Sequence, residues 1–210
     1  MTAVWGPLGW MTLHSVATSY PESPTKTERD LMYTWLDLFR DTITCPHCRE
    51  HFTSMLTNYR ATFPNMLSSR HEFAMFTFRA HNAVNKRLKK PIYSTLDECM
   101  STLKKNIQNR TARDYRVSYL NHVTRHWKMF QDVTGISALR KLAEMRKIET
   151  EYILPRDKNF DVLLFSDVVV LPQDVLEKEP PEPGQPRSIR IGMPPPTGLR
   201  LTGGGFRLRR

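Results

Sequence analysis

The sequence predicts an all-α protein: a four-helix bundle with a short fifth helix, then a C-terminal helical or small α+β extension and a disordered tail. Three observations predict it. Apolar residues in the first hundred positions recur every three or four residues. Capping signals and prolines punctuate them at helix-length intervals. No alternating apolar–polar run interrupts them, as strands would require.

Each element has its own signal. Trp10, Leu13, Ala17 and Tyr20 recur at helical spacing, and Pro21 ends that run. Thr25 and Glu28 form a capping-box pattern ahead of Met32, Trp35, Leu36 and Phe39. Cys45 and Pro46 open a third helix, because proline suits the first helical position. Ser69 and Glu72 repeat the box ahead of Phe73, Phe76, Ala80, Val84 and Leu88, with Pro91 as the stop. Thr95 and Glu98 cap a short fifth helix. Short connections make such helices antiparallel neighbours.

Further along, Leu120, Val123, Trp127 and Phe130 share a helical face, with Gly135 as the stop. Ser137 is the candidate cap of a helix carrying Leu142, Met145 and Ile148. Phe160 to Leu171 is rich in Val and Leu and reads as one or two short strands. From Pro180 the chain is Pro, Gly and Arg with almost no core formers, which implies disorder. The expected organisation is thus a bundle over 1–104, an extension over 105–179 and a tail over 180–210.

Hydrophobic residues make up 40% of the 210, enough for a packed core. No apolar run is long enough for a bilayer, and no basic-then-apolar leader opens the chain. The expected location is the cytoplasm. The net charge is +10, and the six arginines and single acid (Glu182) between Pro180 and Arg210 supply half of it. Such a tail attracts nucleic acid, anionic membrane or acidic protein, and nothing in it selects among them.

Only three cysteines are present: Cys45, Cys48 and Cys99. A disulfide-stapled secreted domain would hold more. Cys45-Pro46-His47-Cys48 at a helix start closes a disulfide over one turn, where unpaired amides and the helix dipole stabilise a thiolate. Zinc is the rival, since His51 and Cys99 lie elsewhere in the chain, but no second CxxC or HxxxH supplies four ligands. No metal is expected. A thioredoxin fold requires a strand before the motif, whereas Leu31 to Thr42 has helical spacing.

Two more segments flank CPHCREHF. One is Trp5-Gly-Pro-Leu-Gly-Trp10 with Leu13-His14-Ser15-Val16-Ala17 and Tyr20-Pro21. The other is His81-Asn82-Ala83-Val84-Asn85-Lys86, continuing through Leu88 and Lys90-Pro91 to Tyr93. In this order the three closely resemble the Erv/ALR sulfhydryl oxidases, over about residues 4 to 100. The resemblance implies a helical bundle that holds FAD, usually as a homodimer. It implies flavin contacts at Gly6, Trp10, His14, His81, Asn82, Asn85, Lys86, Leu88, Lys89, Lys90 and Tyr93. It implies Cys45 as the outer sulfur that exchanges with protein dithiols, Cys48 as the inner one, and O2 as the acceptor, giving H2O2. The residues make chemical sense of this: His81 and Asn85 are one turn apart, the lysines suit a diphosphate, and Trp10 offers an aromatic plane.

The chain departs from that family in three places. It has no second, shuttling cysteine pair, so electrons come from substrate directly or from a thioredoxin-like partner. Phe78 stands where a structural cysteine is common, which leaves Cys99 as a small buried hydrophobe. Ser19 replaces an aromatic. Large DNA viruses encode oxidases of this family, some with unfamiliar extensions; a viral source implies the host cytoplasm and the virion. The alternative function is a non-catalytic assembly module whose tail binds nucleic acid or virion protein.

Overall fold

The computed structural model describes residues 2–107, 109–158 and 160. Seven α-helices follow one another among them: α1 (Thr2–Ser19), α2 (Lys26–Thr42), α3 (Pro46–Thr62), α4 (Arg70–Arg87), α5 (Leu96–Asn106), α6 (Ala112–Trp127) and α7 (Val133–Ile148). No strand is present among the described residues. The strand reading of Phe160 to Leu171 and the basic tail lie, apart from Phe160, outside them.

Helix starts follow the capping chemistry. Thr25 and Glu28 form a reciprocal box at α2, and Thr111 and Asp114 form another at α6. Ser69 and Thr95 accept the backbone N–H of Glu72 and Glu98 at α4 and α5. Each cap stabilises its helix by about 1 kcal/mol.

Two boundaries differ from expectation. Gly135 does not stop a helix; it lies in the first turn of α7, whose cap is Asp132 rather than Ser137. A Cβ there would meet the Phe130 carbonyl oxygen at 2.0 Å, so only glycine lets the turn close this tightly. α4 ends at Arg87, before Pro91. There Lys89 (φ 53°) is left-handed, Lys89 N–H donates to the Lys86 carbonyl, and Lys90 N–H donates to that of Asn85. This is a Schellman turn with lysine where glycine is usual.

The core is continuous from Leu13, Tyr20, Trp35, Phe39 and Phe76 to Tyr119, Val123, Leu142 and Ile153. α6 lies along α1 and α7 along α2. Phe39 of α2 stacks on Tyr119 of α6 with ring centroids 5.1 Å apart. A π-helical turn (Glu149–Ile153) extends α7 and carries Glu149 inward. Arg116 of α6, 1% exposed, pairs with Glu149 at 2.9 Å and Asp157 at 3.0 Å and donates to the Ser15 hydroxyl of α1. Burial lifts the Glu149 carboxyl above its ordinary range, with the Arg116 charge opposing. No helix of the described residues is long and apolar enough to cross a membrane.

Candidate active site

Cys45 and Cys48 form a disulfide, with Cα atoms 5.2 Å apart. The motif sits where the sequence places it, between the end of α2 and the first turn of α3. Cys45 is the N-cap of α3, and its Sγ accepts the Cys48 backbone N–H at 3.2 Å. Pro46 fills the first helical position, so its missing N–H costs nothing. Both cysteines are partly exposed, and Cys48 packs against the core. The helix before the motif, not a strand, removes the thioredoxin alternative. His47 and His51 meet at 2.9 Å through their Nε2 atoms, one ring donating and the other accepting.

The second part of the site joins α1 to α4. Trp10 stacks on His81 with centroids 4.4 Å apart and planes 9° apart. His14 Nε2 lies 3.1 Å from His81 Nδ1, and His14 Nδ1 lies 3.1 Å from the Thr77 hydroxyl. Hydrogen-bond roles follow in order. Thr77 donates its one proton to the Ala74 carbonyl, so it accepts from His14 Nδ1–H. His14 Nε2 is then bare and accepts from His81 Nδ1–H. That leaves His81 Nε2 as an acceptor. Both rings are neutral: burial, then the His81 charge, holds His14 well below the usual imidazole range, and burial, then Lys90, lowers His81 to about 4.

Asn82 and Asn85 perform a task that spacing did not reveal. Asn82 donates to the Tyr93 carbonyl at 2.8 Å and accepts from the Tyr93 N–H at 2.9 Å. Asn85 donates to the Pro91 carbonyl at 3.2 Å. Together they tie the 91–93 segment to α4, and Tyr93 meets the His81 ring edge-on at 5.5 Å. Gly6 stands one turn before Trp10 on α1 with open space around it. Lys86, Leu88, Lys89 and Lys90 are exposed at the end of α4.

This donor set suits a flavin dinucleotide. Trp10 and His81 offer aromatic faces, and His81 Nε2 is an acceptor for an adenine or ribose donor. The lysines supply charge for a diphosphate, and the exposed Leu88 and Ile92 supply an apolar rim. Cys99 is buried and unpaired, 3.9 Å from His14 Nε2. Burial, then Glu98, pushes its thiol up to about 12. Thr77 and Cys99 were not singled out as neighbours of this site; only Thr77, one turn before His81, carried a signal in its spacing. His14, His81 and Cys99 present three metal-ligand atoms within 4.8 Å of one another, and this cluster includes neither cysteine of the CPHC motif.

Residues 8–110 match the model of the Erv1 / Alr family. An FAD-linked sulfhydryl oxidase of African swine fever virus is 38% identical over 90 residues, covering 43% of this chain and 72% of that protein. A probable FAD-linked sulfhydryl oxidase of Acanthamoeba polyphaga mimivirus is 31% identical over 111 residues, covering 53% and 76%. An FAD-linked sulfhydryl oxidase of Saccharomyces cerevisiae is 34% identical over 88 residues, covering 42% of this chain and 43% of the yeast protein, less than half its length. No solved structure matches significantly.

Proposed function

The chain belongs to the Erv1/Alr family, and on that footing we propose how it works as an FAD-dependent thiol oxidase forming disulfides in protein substrates. The observation that carries the proposal is the Cys45–Cys48 disulfide at the N-terminus of α3. A substrate thiolate attacks Cys45 Sγ; the Cys45–Cys48 bond breaks and Cys48 leaves as a thiolate. The second substrate thiol, its proton lost to water, attacks the substrate sulfur of the mixed disulfide, and Cys45 leaves as a thiolate. The substrate is oxidised by two electrons, and the cysteine pair holds them.

Cys45 is suited to that departure. Its sulfur accepts the Cys48 N–H and lies at the positive end of α3, so its thiolate is stabilised. Cys48 is the inner sulfur, which donates the electrons onward. Bound FAD would supply the redox chemistry that links the reduced pair to O2, giving H2O2. Trp10, His81, Tyr93 and the lysines of the α4 terminus would hold it, with His14 fixing the His81 ring and Asn82 and Asn85 fixing the segment that carries Tyr93. With Cys99 the only other cysteine, reducing equivalents arrive from the substrate or a thioredoxin-like partner.

The viral relatives support work in the cytoplasm of an infected cell. A homodimer has to use a face other than those of α1 and α2 that α6 and α7 cover. The arginines beyond Pro180 support contact of the tail with nucleic acid or acidic protein. The test is the visible spectrum of the purified protein. A flavin band that bleaches with dithiothreitol and returns as oxygen is consumed supports the function; a protein that takes up no FAD overturns it.

A further inference from the structure

We propose that the corner between α6 and α7 is a docking site for the apolar residues that flank the reactive cysteines of a protein substrate. The proposal rests on the oxidase reading of Cys45 and Cys48 and names what that site selects. Both helices begin after residue 110, where the family match ends.

The corner is fastened to the redox loop. Trp127, the last residue of α6, donates its indole N–H to the Thr42 carbonyl at 2.9 Å, three residues before Cys45. Arg49, directly after Cys48, donates to the Ile43 carbonyl at 3.3 Å, and its guanidinium lies 6.0 Å from the Trp127 ring centroid. Lys141 of α7 pairs with Asp41 at 2.5 Å. Between these walls lies a groove of ≈ 410 Å³ lined by Asp41, Arg49, Trp127, Val133, Ala138 and Lys141.

Four apolar side chains of the corner face water, set among the exposed Lys128, Gln131, Asp132 and Thr134. Val133 is 85% exposed, Met129 71%, Ile136 49% and Phe130 43%. Gathered exposed apolar side chains of this size mark interaction surfaces. The corner is also held in shape, because Gly135 packs directly under the Phe130 carbonyl. A preformed surface loses little freedom on binding.

Continuity with the redox loop identifies the occupant. An extended chain advances about 3.3–3.6 Å per residue. Arg49 follows Cys48 directly and lines the groove, so a substrate whose cysteine reaches Cys45 has its next few residues within reach of it. An apolar side chain at one of those positions is buried against Trp127 and Val133, which strengthens the encounter without altering the sulfur chemistry.

The test compares two synthetic peptides, each with a Cys-Gly-Ser-Cys dithiol, one flanked by leucines and the other by serines. Oxygen consumption gives kcat/KM for each, with dithiothreitol as the reference. The holoenzyme is expected to prefer the leucine peptide by about tenfold, the effect of burying one apolar side chain. The variant Met129→Ser/Val133→Ser/Ile136→Ser is expected to lose that preference and keep its dithiothreitol turnover. Val133→Ser alone, at the most exposed position, is expected to lose part of it and covers the case in which the triple variant folds poorly. Equal kcat/KM for both peptides in the unaltered enzyme, or a preference that survives both variants, overturns the proposal. So does a triple variant that changes only the molecular mass in solution, because the corner then meets a second copy. A holoenzyme that oxidises neither peptide nor dithiothreitol fails at the oxidase reading itself.

Discussion

His14 and His81 share one hydrogen bond, 3.1 Å from Nε2 of the first to Nδ1 of the second, and burial keeps both rings neutral at pH 7. A pH dependence follows. An unfolded histidine titrates near 6.5, whereas folded His81 is lowered to about 4 and folded His14 lies well below its usual range. Between those limits the unfolded chain binds more protons, so stability is full above about pH 6.5 and is lost as pH falls toward 4. His81 alone accounts for a loss on the order of 3 kcal/mol, and His14 adds in the same direction. Urea midpoints of the FAD-free protein at pH 7.5 and 4.5 measure it, with His81→Gln showing a smaller fall. Equal falls in the two proteins would place the titration elsewhere.

The three cysteines separate by chemistry. Cys45→Ser keeps a good N-cap on α3 and Cys48→Ser leaves the Trp10–His81 stack untouched, so both variants are expected to retain FAD. Both are expected to lose dithiothreitol turnover, since no disulfide remains to be attacked. Cys99→Ser is expected to turn over normally, because a buried thiol raised to about 12 is no nucleophile at neutral pH. Oxygen-electrode rates and flavin content for the three variants check this. Turnover in Cys48→Ser would remove that sulfur from the route.

Much of this was legible in the chain. Caps and helical spacing placed α2 to α5, because those signals act within one turn and need no partner. The corner at Gly135 was not legible: glycine read as a terminator, whereas its role is to pass beneath the Phe130 carbonyl, a contact set by the turn itself. Spacing put His81 and Asn85 one turn apart, but it did not disclose that Asn85 and Asn82 hold the 91–93 segment, which follows from the chain doubling back. Nor did amphipathic pattern in α6 and α7 say which surface they cover. A helical stripe states that some face is buried; Arg116 reaching Ser15, and Trp127 reaching Thr42, decide against what.

Arg116 makes that choice costly to undo. It is buried and holds Glu149 and Asp157 together. Arg116→Leu leaves two carboxylates without their cation in a position that already penalises Glu149. The expected cost is about 3–5 kcal/mol. Arg116→Leu combined with Glu149→Gln should recover part of it, because one stranded charge is removed. Thermal unfolding of both variants measures the difference. A double variant no more stable than the single one would mean that lost packing, not stranded charge, dominates.

Lys89 sets stability against cofactor binding. Its φ of 53° is a left-handed conformation that costs a side-chain-bearing residue about 1 kcal/mol. Glycine takes it without strain, although it also gains freedom in the unfolded chain. Lys89→Gly is therefore expected to leave the FAD-free protein equally stable or raise its melting temperature by a few degrees, about 0.5–1 kcal/mol at most. The same change removes an ammonium from the end of α4, where charge suits a diphosphate. FAD affinity is then expected to fall several-fold, with a steeper loss at low salt, where the charge counts most. Melting curves without flavin and fluorescence titration with FAD at two salt concentrations check the two halves separately. An unchanged affinity would assign the strained turn to chain geometry alone, and a lower melting temperature would show that the lysine side chain contributes packing that offsets its backbone strain.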